Sequence, residues 1–323
     1  MESTAATDGS APDNQMRVVV TGGAGFIGAN LCRHLLDAGV SEVVAFDDLS
    51  TGSELNLQGV DTELIVGSIL DETALSKVVH GASSIVHLAA RPSVPRSISD
   101  PSASHEVNAT GTLRVLEAAR NEMIHTIVAS SSSVYGANPT IPKTEDLRCV
   151  PLSPYAVSKL ATEAYASAYG VCFGLPTLAF RFFNVYGPLQ AADHAYAAVV
   201  PAFLRAALRQ HPLEIHGDGK QSRDFTYVGT VVDAIGRAVL AHKTSHDPVN
   251  LAFSTQTSLL DLVQIVEQEL GYPLKVIHRE ARPGDVRHSR ASDRRLQALL
   301  PELAPVDLAE GVRRTISWFQ SVL

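Results

Sequence analysis

Two short constellations in this chain carry the residue types and spacings that chemistry needs. Tyr155-Ala156-Val157-Ser158-Lys159 sets a phenol and an ammonium four residues apart, one helical turn, so both would project from one face. The pair follows a serine run, Ser130 to Ser133. A free tyrosine titrates near 10, so only about one in a thousand is ionised at pH 7. Lowering that value by about 3 units takes roughly 4 kcal/mol of preferential stabilisation of the phenolate. A neighbouring Lys⁺ and a second positive charge can supply it. Tyr155 would then serve as a general base on a hydroxyl, with a serine relaying or anchoring the proton. Alone, such a pair is weak; the alternative is a surface tyrosine on a helix beside a polar turn.

The second constellation is Thr21-Gly22-Gly23-Ala24-Gly25-Phe26-Ile27-Gly28. Gly23, Gly25 and Gly28 satisfy G-x-G-x-x-G, and Gly22, Gly25 and Gly28 satisfy G-x-x-G-x-x-G. In either register, glycines permit a tight turn and let backbone N–H groups at a helix N-terminus approach a pyrophosphate. Asp47 follows about 20 residues on, where an acid takes the adenosine ribose hydroxyls of a dinucleotide. That acid favours NAD over NADP, whose 2′-phosphate it would repel. Asp48 is a turn residue or a second ribose contact. The nicotinamide ring of NAD⁺ is then the second positive charge beside Tyr155.

Both constellations need elements to hold them. Arg17 to Thr21 is a β-branched run ending in glycines, as a buried parallel strand does. Phe26 to Ala38 reads as a helix stopped by Gly39. Strand patterns recur at Val43–Phe46, Glu63–Val66, Ser84–Leu88, Ile124–Ala129 and Pro176–Phe182, with helices at Glu72–Val79, Ser102–Arg120 and Tyr155–Tyr169 between them. Alternating strands and helices make an α/β fold, a Rossmann-type doubly wound parallel sheet. Beyond Gly187-Pro188 the pattern becomes irregular. Helices are expected at Ala197–Arg209, Thr230–Ala241, Ser258–Leu270 and Asp307–Phe319, and Val249–Leu251 could extend the main sheet. The expected division is a cofactor-binding domain at 16–185 plus about 222–254, and a smaller, interleaved C-terminal substrate lobe at 186–221 plus about 255–323.

Composition bounds the remaining possibilities. The chain has 323 residues, of which 45% are hydrophobic and 19% charged, and a formal net charge of −8. That is enough apolar material for a large core. The acidic balance opposes a general nucleic-acid or anionic-membrane binder, either of which needs a basic face. Cys32, Cys149 and Cys172 are too few and too scattered for a disulfide framework, and fit a reducing, cytoplasmic setting. No apolar run approaches the roughly 20 residues that span a bilayer. Met1 to Gln15 is polar and small, a disordered tail rather than a signal peptide. His242 and His246 share a helical spacing with no acid in register, so no metal site is expected.

The chain from Arg17 onward resembles the extended short-chain dehydrogenase/reductases, the NAD-dependent epimerase/dehydratase family. The resemblance rests on Val20 to Gly28, Asp47-Asp48-Leu49-Ser50-Thr51-Gly52, His87-Leu88-Ala89-Ala90, Asn108, Ser130 to Gly136 and Ser153-Pro154-Tyr155 with Lys159. It continues through Arg181 to Pro188, Gly217 to Val228 and Arg282-Pro283-Gly284-Asp285. Within the family the chain is most similar to UDP-glucose/UDP-N-acetylglucosamine 4-epimerases. Ser93 to Ile98, Tyr196 to Pro201 and Gly284 to Ser289 resemble the branch that handles N-acetylated UDP-hexoses.

The resemblance implies an NAD that stays bound and is recycled. Tyr155 takes the 4-hydroxyl proton as hydride leaves C4, and hydride returns to the other face of a transient 4-keto sugar. Ser131 falls at the catalytic serine/threonine position, and Lys159 lowers the tyrosine pKa and holds the nicotinamide ribose. For the cofactor it implies Gly22, Gly25, Phe26, Ile27 and Gly28 at the pyrophosphate, and Asp47, Asp48, Ser50, Thr51 and Gly52 at the ribose. Ser68 and Ile69 fall near the adenine; Leu88, Ala89, Ala90, Asn108, Ser130 and Phe182 complete that set. For the sugar nucleotide it implies Ser93, Val94, Ser131, Ser132, Asn184, Val199, Val200 and Ser289. Arg223 and Arg282 fall where the family grips the diphosphate, and Asp285 where it binds the uridine ribose. A homodimer is implied as well, with Ser102–Arg120 and Tyr155–Tyr169 in a four-helix bundle.

Ser132 and Ser133 stand where sugar dehydratases carry Asp-Glu and decarboxylases a Glu. Without a carboxylate, elimination lacks its general acid, which favours an epimerase over a dehydratase or decarboxylase. A ketosugar reductase or a UDP-uronic acid 4-epimerase are further alternatives on the scaffold, and a non-catalytic dinucleotide sensor is opposed by the retained Tyr155–Lys159 pair. Ser289 replaces a tyrosine that excludes a 2-acetamido group in some relatives, so N-acetylated hexoses should fit. Three positions depart from the pattern: Ser68 replaces an adenine-binding aspartate, Thr230 another aspartate, and Pro92 a lysine. Despite the net charge, residues 279 to 295 hold six arginines against Glu280, Asp285 and Asp293. That local excess is where an anionic diphosphate would be expected.

Overall fold

The computed structural model describes residues 16–192, 197–280 and 287–322; the expected N-terminal tail lies outside them. Six strands alternate with helices through the first part of the chain: β1 (Arg17–Thr21), β2 (Glu42–Asp47), β3 (Glu63–Val66), β4 (Ser84–His87), β5 (His125–Ser131) and β6 (Thr177–Phe182). Val249–Leu251 returns to pair in parallel with β6, Val249 opposite Phe180. The seven-stranded sheet runs Val249–Leu251, β6, β5, β4, β1, β2, β3, parallel throughout.

The apolar strand sequences follow from this placement. Val18 and Val20 point into one hydrophobic core, which they share with Leu31, Leu35 and Ile235. Val19 points into the other, with Leu75, Ile85 and Leu116. β2 divides the same way, Val43 and Ala45 to one side and Val44 and Phe46 to the other. A strand with helices on both faces has no polar side, so its sequence is apolar throughout. The helices Phe26–Asp37 and Val228–Leu240 cover the first face; Glu72–Val79 and Gly111–Glu122 cover the second.

Strand order reverses about β1, which lies between β2 and β4. At such a reversal the loops leaving the strands' carboxyl ends diverge and open a crevice. The glycine turn leaves β1 at that point. The helix Pro154–Phe173 is started by Ser153, whose hydroxyl accepts the Ala156 N–H at 3.2 Å, and by Pro154 at its first position. It ends at Gly174 with φ +69°.

The structure departs from the pattern reading in two places. The helix expected over Ser102–Arg120 is broken into Pro101–His105, a π turn at Glu106–Thr110, and Gly111–Glu122. At the end of the π turn the chain passes so close to Ile69 that a Cβ on Gly111 would lie 2.5 Å from Ile69 Cδ1. The irregular C-terminal half contains three two-stranded pairings: Val185–Tyr186 with Thr226–Tyr227, Leu213–His216 with Val276–Arg279, and Ser222–Arg223 with Thr257–Ser258. Such short strands leave little periodicity to read. Among the described residues no helix is long and apolar enough to cross a membrane, and no group of His, Cys, Asp and Glu could hold a metal. The cysteines are free.

Candidate active site

The glycine turn is built by close approach. Gly22 takes φ +73°, and a Cβ there would lie 2.7 Å from the Ala89 nitrogen. A Cβ on Gly23 would meet Ala45 Cβ at 2.6 Å, and one on Gly28 would overlap the Gly22 carbonyl. The helix Phe26–Asp37 opens at Gly25 with no side-chain cap and no acid in its first turn. Its leading N–H groups therefore keep their donor capacity for an anion. Gly22, Gly25, Phe26, Ile27 and Gly28 line a cavity of about 660 Å³.

Asp47 ends β2 at the rim of the same cavity. Its carboxylate accepts the Ala24 N–H at 3.0 Å and the Leu49 N–H at 2.8 Å. Burial pushes its pKa up, and the two N–H bonds oppose that shift. Each oxygen keeps a lone pair for a diol. Asp48 caps its own turn by accepting the Ser50 N–H at 2.9 Å. Ser50, Thr51, Ser68, Ile69, Leu88, Ala89 and Ala90 line the cavity; Gly52 does not, and instead lies against Ala24 and Asp47 where a Cβ would collide.

The other end of this cavity holds Ser130, Ser131, Ser132, Tyr155, Lys159 and Phe182. Tyr155 and Lys159 come from the first turns of the helix Pro154–Phe173, and Ser131 from the end of β5. Ser131 accepts bonds from the Ser133 N–H at 3.2 Å and the Ser133 hydroxyl at 2.9 Å. Burial pushes the Tyr155 phenol above its ordinary value, opposed by a hydrogen bond with Ser131. Lys159 donates to the Ala129 carbonyl at 2.7 Å, and burial lowers its pKa to about 8. The lowering expected from Lys159 acting together with a nicotinamide ring would have to overcome that burial.

Asn108, expected at the cofactor, is a clamp. Its side chain accepts the Arg91 N–H at 2.7 Å and donates to the Arg91 carbonyl at 3.3 Å and the Ser158 hydroxyl at 3.0 Å. It holds the loop after β4 against the catalytic helix and does not line the cavity. Ser93 does line it; Val94 lies outside, on the surface.

A second cavity of about 640 Å³ adjoins the first, and Asn184, Val185 and Ala198 line both. Asn184 is held at the junction by donating to the Asp224 carbonyl at 3.0 Å. Val199, Val200 and Arg223 line this second space. Ser289 is tied by its N–H to the Ser222 carbonyl at 3.1 Å, beside Arg223 but not on the cavity wall. Arg282 and Asp285 lie outside the described residues.

Among the described residues of the arginine-rich stretch, three arginines are paired with acids. Arg279 pairs with Glu214 at 2.6 Å, Arg287 with Asp218 at 3.2 Å, and Arg295 with Asp146 at 2.5 Å and Asp247 at 3.4 Å. Acids distant in sequence neutralise them. The cations that line the second cavity are Arg223 together with Arg205 and Arg209 of the preceding helix and loop, residues that charge counting missed. Ala198, Ala202, Arg205, Ala206 and Arg209 follow one helical face, a periodicity that could have found them. Arg96, on the short helix Val94–Ser99, lines the first cavity and was likewise unassigned.

Comparison with known proteins gives the same arrangement a context. The family described as "NAD dependent epimerase/dehydratase family" matches residues 18–252. A UDP-glucose 4-epimerase of Mycolicibacterium smegmatis is 36% identical over 313 residues, 95% of this chain and 99% of that protein. Among solved structures, a UDP-N-acetylglucosamine 4-epimerase from Methanobrevibacter ruminantium, in complex with UDP-N-acetylmuramic acid, superposes with TM-score 0.89 at 34% identity, covering 96% of this chain and 99% of that one. A UDP-glucuronic acid 4-epimerase from Bacillus cereus, in complex with UDP-glucuronic acid and NAD, does so with TM-score 0.86 at 32% identity, covering 95% and 100%.

Proposed function

This chain belongs to the NAD-dependent epimerase/dehydratase family, and from that premise we propose that it inverts C4 of UDP-hexoses. The proposed substrates are UDP-glucose and UDP-galactose and the N-acetylated pair UDP-GlcNAc and UDP-GalNAc. One observation carries the reading. Ser131, Tyr155 and Lys159 share a cavity with the glycine turn and Asp47, and Asn184 joins it to a second cavity bearing Arg223. A dinucleotide and a sugar nucleotide can thus meet at Tyr155. Among the described residues the carboxylates lining the first cavity are Asp47 and Asp48, both at the ribose end, so no described acid stands at the catalytic end to drive elimination.

NAD, when bound, supplies the hydride acceptor and donor and a positive ring charge beside the phenol. Tyr155 removes the proton from the 4-hydroxyl, and returns it when the opposite face is reduced. Ser131, hydrogen-bonded to Tyr155, orients that hydroxyl. Lys159 remains mostly protonated at pH 7 with a pKa of about 8, and its positive charge favours the phenolate. Asn184 and Arg223 hold the sugar nucleotide; Arg282 and Asp285 are proposed to join them. The cofactor domain is 16–185 plus about 222–254, and the substrate lobe is 186–221 plus about 255–323. The working form is a homodimer formed through the helices around 101–122 and 154–173, where Val157 and Tyr165 are exposed. A reducing cytoplasm suits the free cysteines.

Purified protein incubated with each of the four UDP-hexoses, and read by proton NMR of the anomeric signals, tests this. C4 inversion is expected without net consumption of added NADH, and Tyr155→Phe should lower kcat by about 10²–10⁴-fold. No inversion of any of the four would refute the reading, and stoichiometric NADH consumption would replace it with a reductase.

A further inference from the structure

We propose that Glu163, paired with Arg181, is a positioning residue that holds the catalytic serine in register with Tyr155 and Lys159. The inference rests on the epimerase reading for its kinetic part. The three reacting groups come from two elements: Ser131 from β5, the other two from the helix Pro154–Phe173. Their mutual distance is therefore set by how the strand end seats on the helix.

Two side-chain links make that seat. Lys159 donates to the Ala129 carbonyl at 2.7 Å. The Ser130 hydroxyl donates to Glu163 Oε2 at 2.6 Å and lies 3.3 Å from the Lys159 carbonyl. Ser130 is covalently next to Ser131, and Glu163 is one helical turn beyond Lys159, so this contact joins the neighbour of each reacting group. Ser130, expected among the cofactor residues, thus commits its proton to Glu163.

Glu163 is itself immobilised. Arg181 of β6 grips it through both carboxylate oxygens, Nε to Oε2 at 2.9 Å and Nη2 to Oε1 at 2.6 Å. Both side chains are about 95% buried, with 4% and 5% of their surface exposed. The guanidinium stacks over the Tyr135 ring at 4.7 Å from its centroid, and the Tyr135 hydroxyl donates to Asn250 at 2.6 Å. Strands β5 and β6 and the catalytic helix therefore converge on one carboxylate, and Val249–Leu251 reaches it indirectly through Asn250, Tyr135 and Arg181. A buried ion pair often contributes nothing net to stability compared with apolar residues of the same volume. Its use here is geometric: a bidentate pair has one arrangement, and an apolar contact would let the strand end slide.

Ser130→Ala cuts the link and leaves the ion pair whole; Glu163→Gln removes the charge that orients the serine. Each is expected to lower kcat about 10–100-fold, the range for small misplacement of reacting groups, with KM for the UDP-hexose unchanged. The double variant should be no slower than the slower single one, because both act through one contact. A readout without substrate accompanies this: in ring-¹³C-tyrosine protein, with the signal assigned by Tyr155→Phe, Tyr155 should titrate higher in Ser130→Ala than in wild type as its bond with Ser131 loosens. Unchanged kcat and unchanged Tyr155 titration in folded Ser130→Ala would overturn the proposal, as would multiplicative effects in the double variant. Ser130→Ala carries the test if Glu163→Gln does not fold. A wild type that inverts none of the hexoses refutes the epimerase reading, and the tyrosine titration then decides the positioning role by itself.

Discussion

His87 makes acid sensitivity a property of the cofactor loop. It ends β4 with its ring 2% exposed, Nδ1 2.8 Å from the Thr21 hydroxyl and Nε2 3.0 Å from that of Thr112. Thr21 immediately precedes the glycine turn. Burial, with the nearby Lys159 charge, lowers the ring's pKa from 6.5 to about 3. The neutral ring is therefore native. Above pH 6.5 neither the folded nor the unfolded chain protonates it, and there is no penalty. As pH falls from 6.5 towards 3 the unfolded chain binds a proton that the native one refuses, so stability is lost through that window. At 1.36 kcal/mol per pH unit, the loss by pH 5 is about 2 kcal/mol from this ring alone. The perturbation is His87→Gln, which keeps a polar side chain between the two threonines and does not titrate. Guanidinium unfolding of both proteins at pH 7.5 and pH 5.0 is the assay. The variant should be less stable at pH 7.5, yet lose about 2 kcal/mol less than wild type between the two pH values. Other histidines, such as His125, whose pKa burial also lowers, cancel in the difference. Equal losses in the two proteins would refute the reasoning.

Three further outcomes follow from the site. Gly22→Ala combines a left-handed φ of +73° with a Cβ 2.7 Å from the Ala89 nitrogen; it should cost at least about 1–2 kcal/mol in chemical denaturation and weaken NAD binding measured by calorimetry. Asp47→Asn keeps the shape of the carboxylate but loses its charge; NAD affinity should drop about tenfold, near 1.4 kcal/mol, and the preference over NADP should narrow in the same titration. Arg223→Gln should raise KM for the UDP-hexose by about 10–100-fold, with kcat nearly unchanged, as befits a lost charge-assisted bond in the second cavity.

What the sequence alone determined is local. A strand that must be apolar on both faces, a turn that only glycines can make, an acid about 20 residues on, and a tyrosine and lysine one helical turn apart are all set by the chain's own geometry, and each was legible in order. What only the tertiary structure decided depends on segments far apart in sequence. Arg279, Arg287 and Arg295 stand in the sequence as an excess of positive charge, and only the fold brings Glu214, Asp218, Asp146 and Asp247 beside them. Asn108 looked like a ligand until the backbone of Arg91 and the hydroxyl of Ser158 took its amide. The burial that raises the Tyr155 pKa, against which Lys159 and a nicotinamide charge would have to work, is set by the fold around it. Charge, hydrogen-bond capacity and desolvation are properties of surroundings, and the sequence states which groups exist without stating what will surround them.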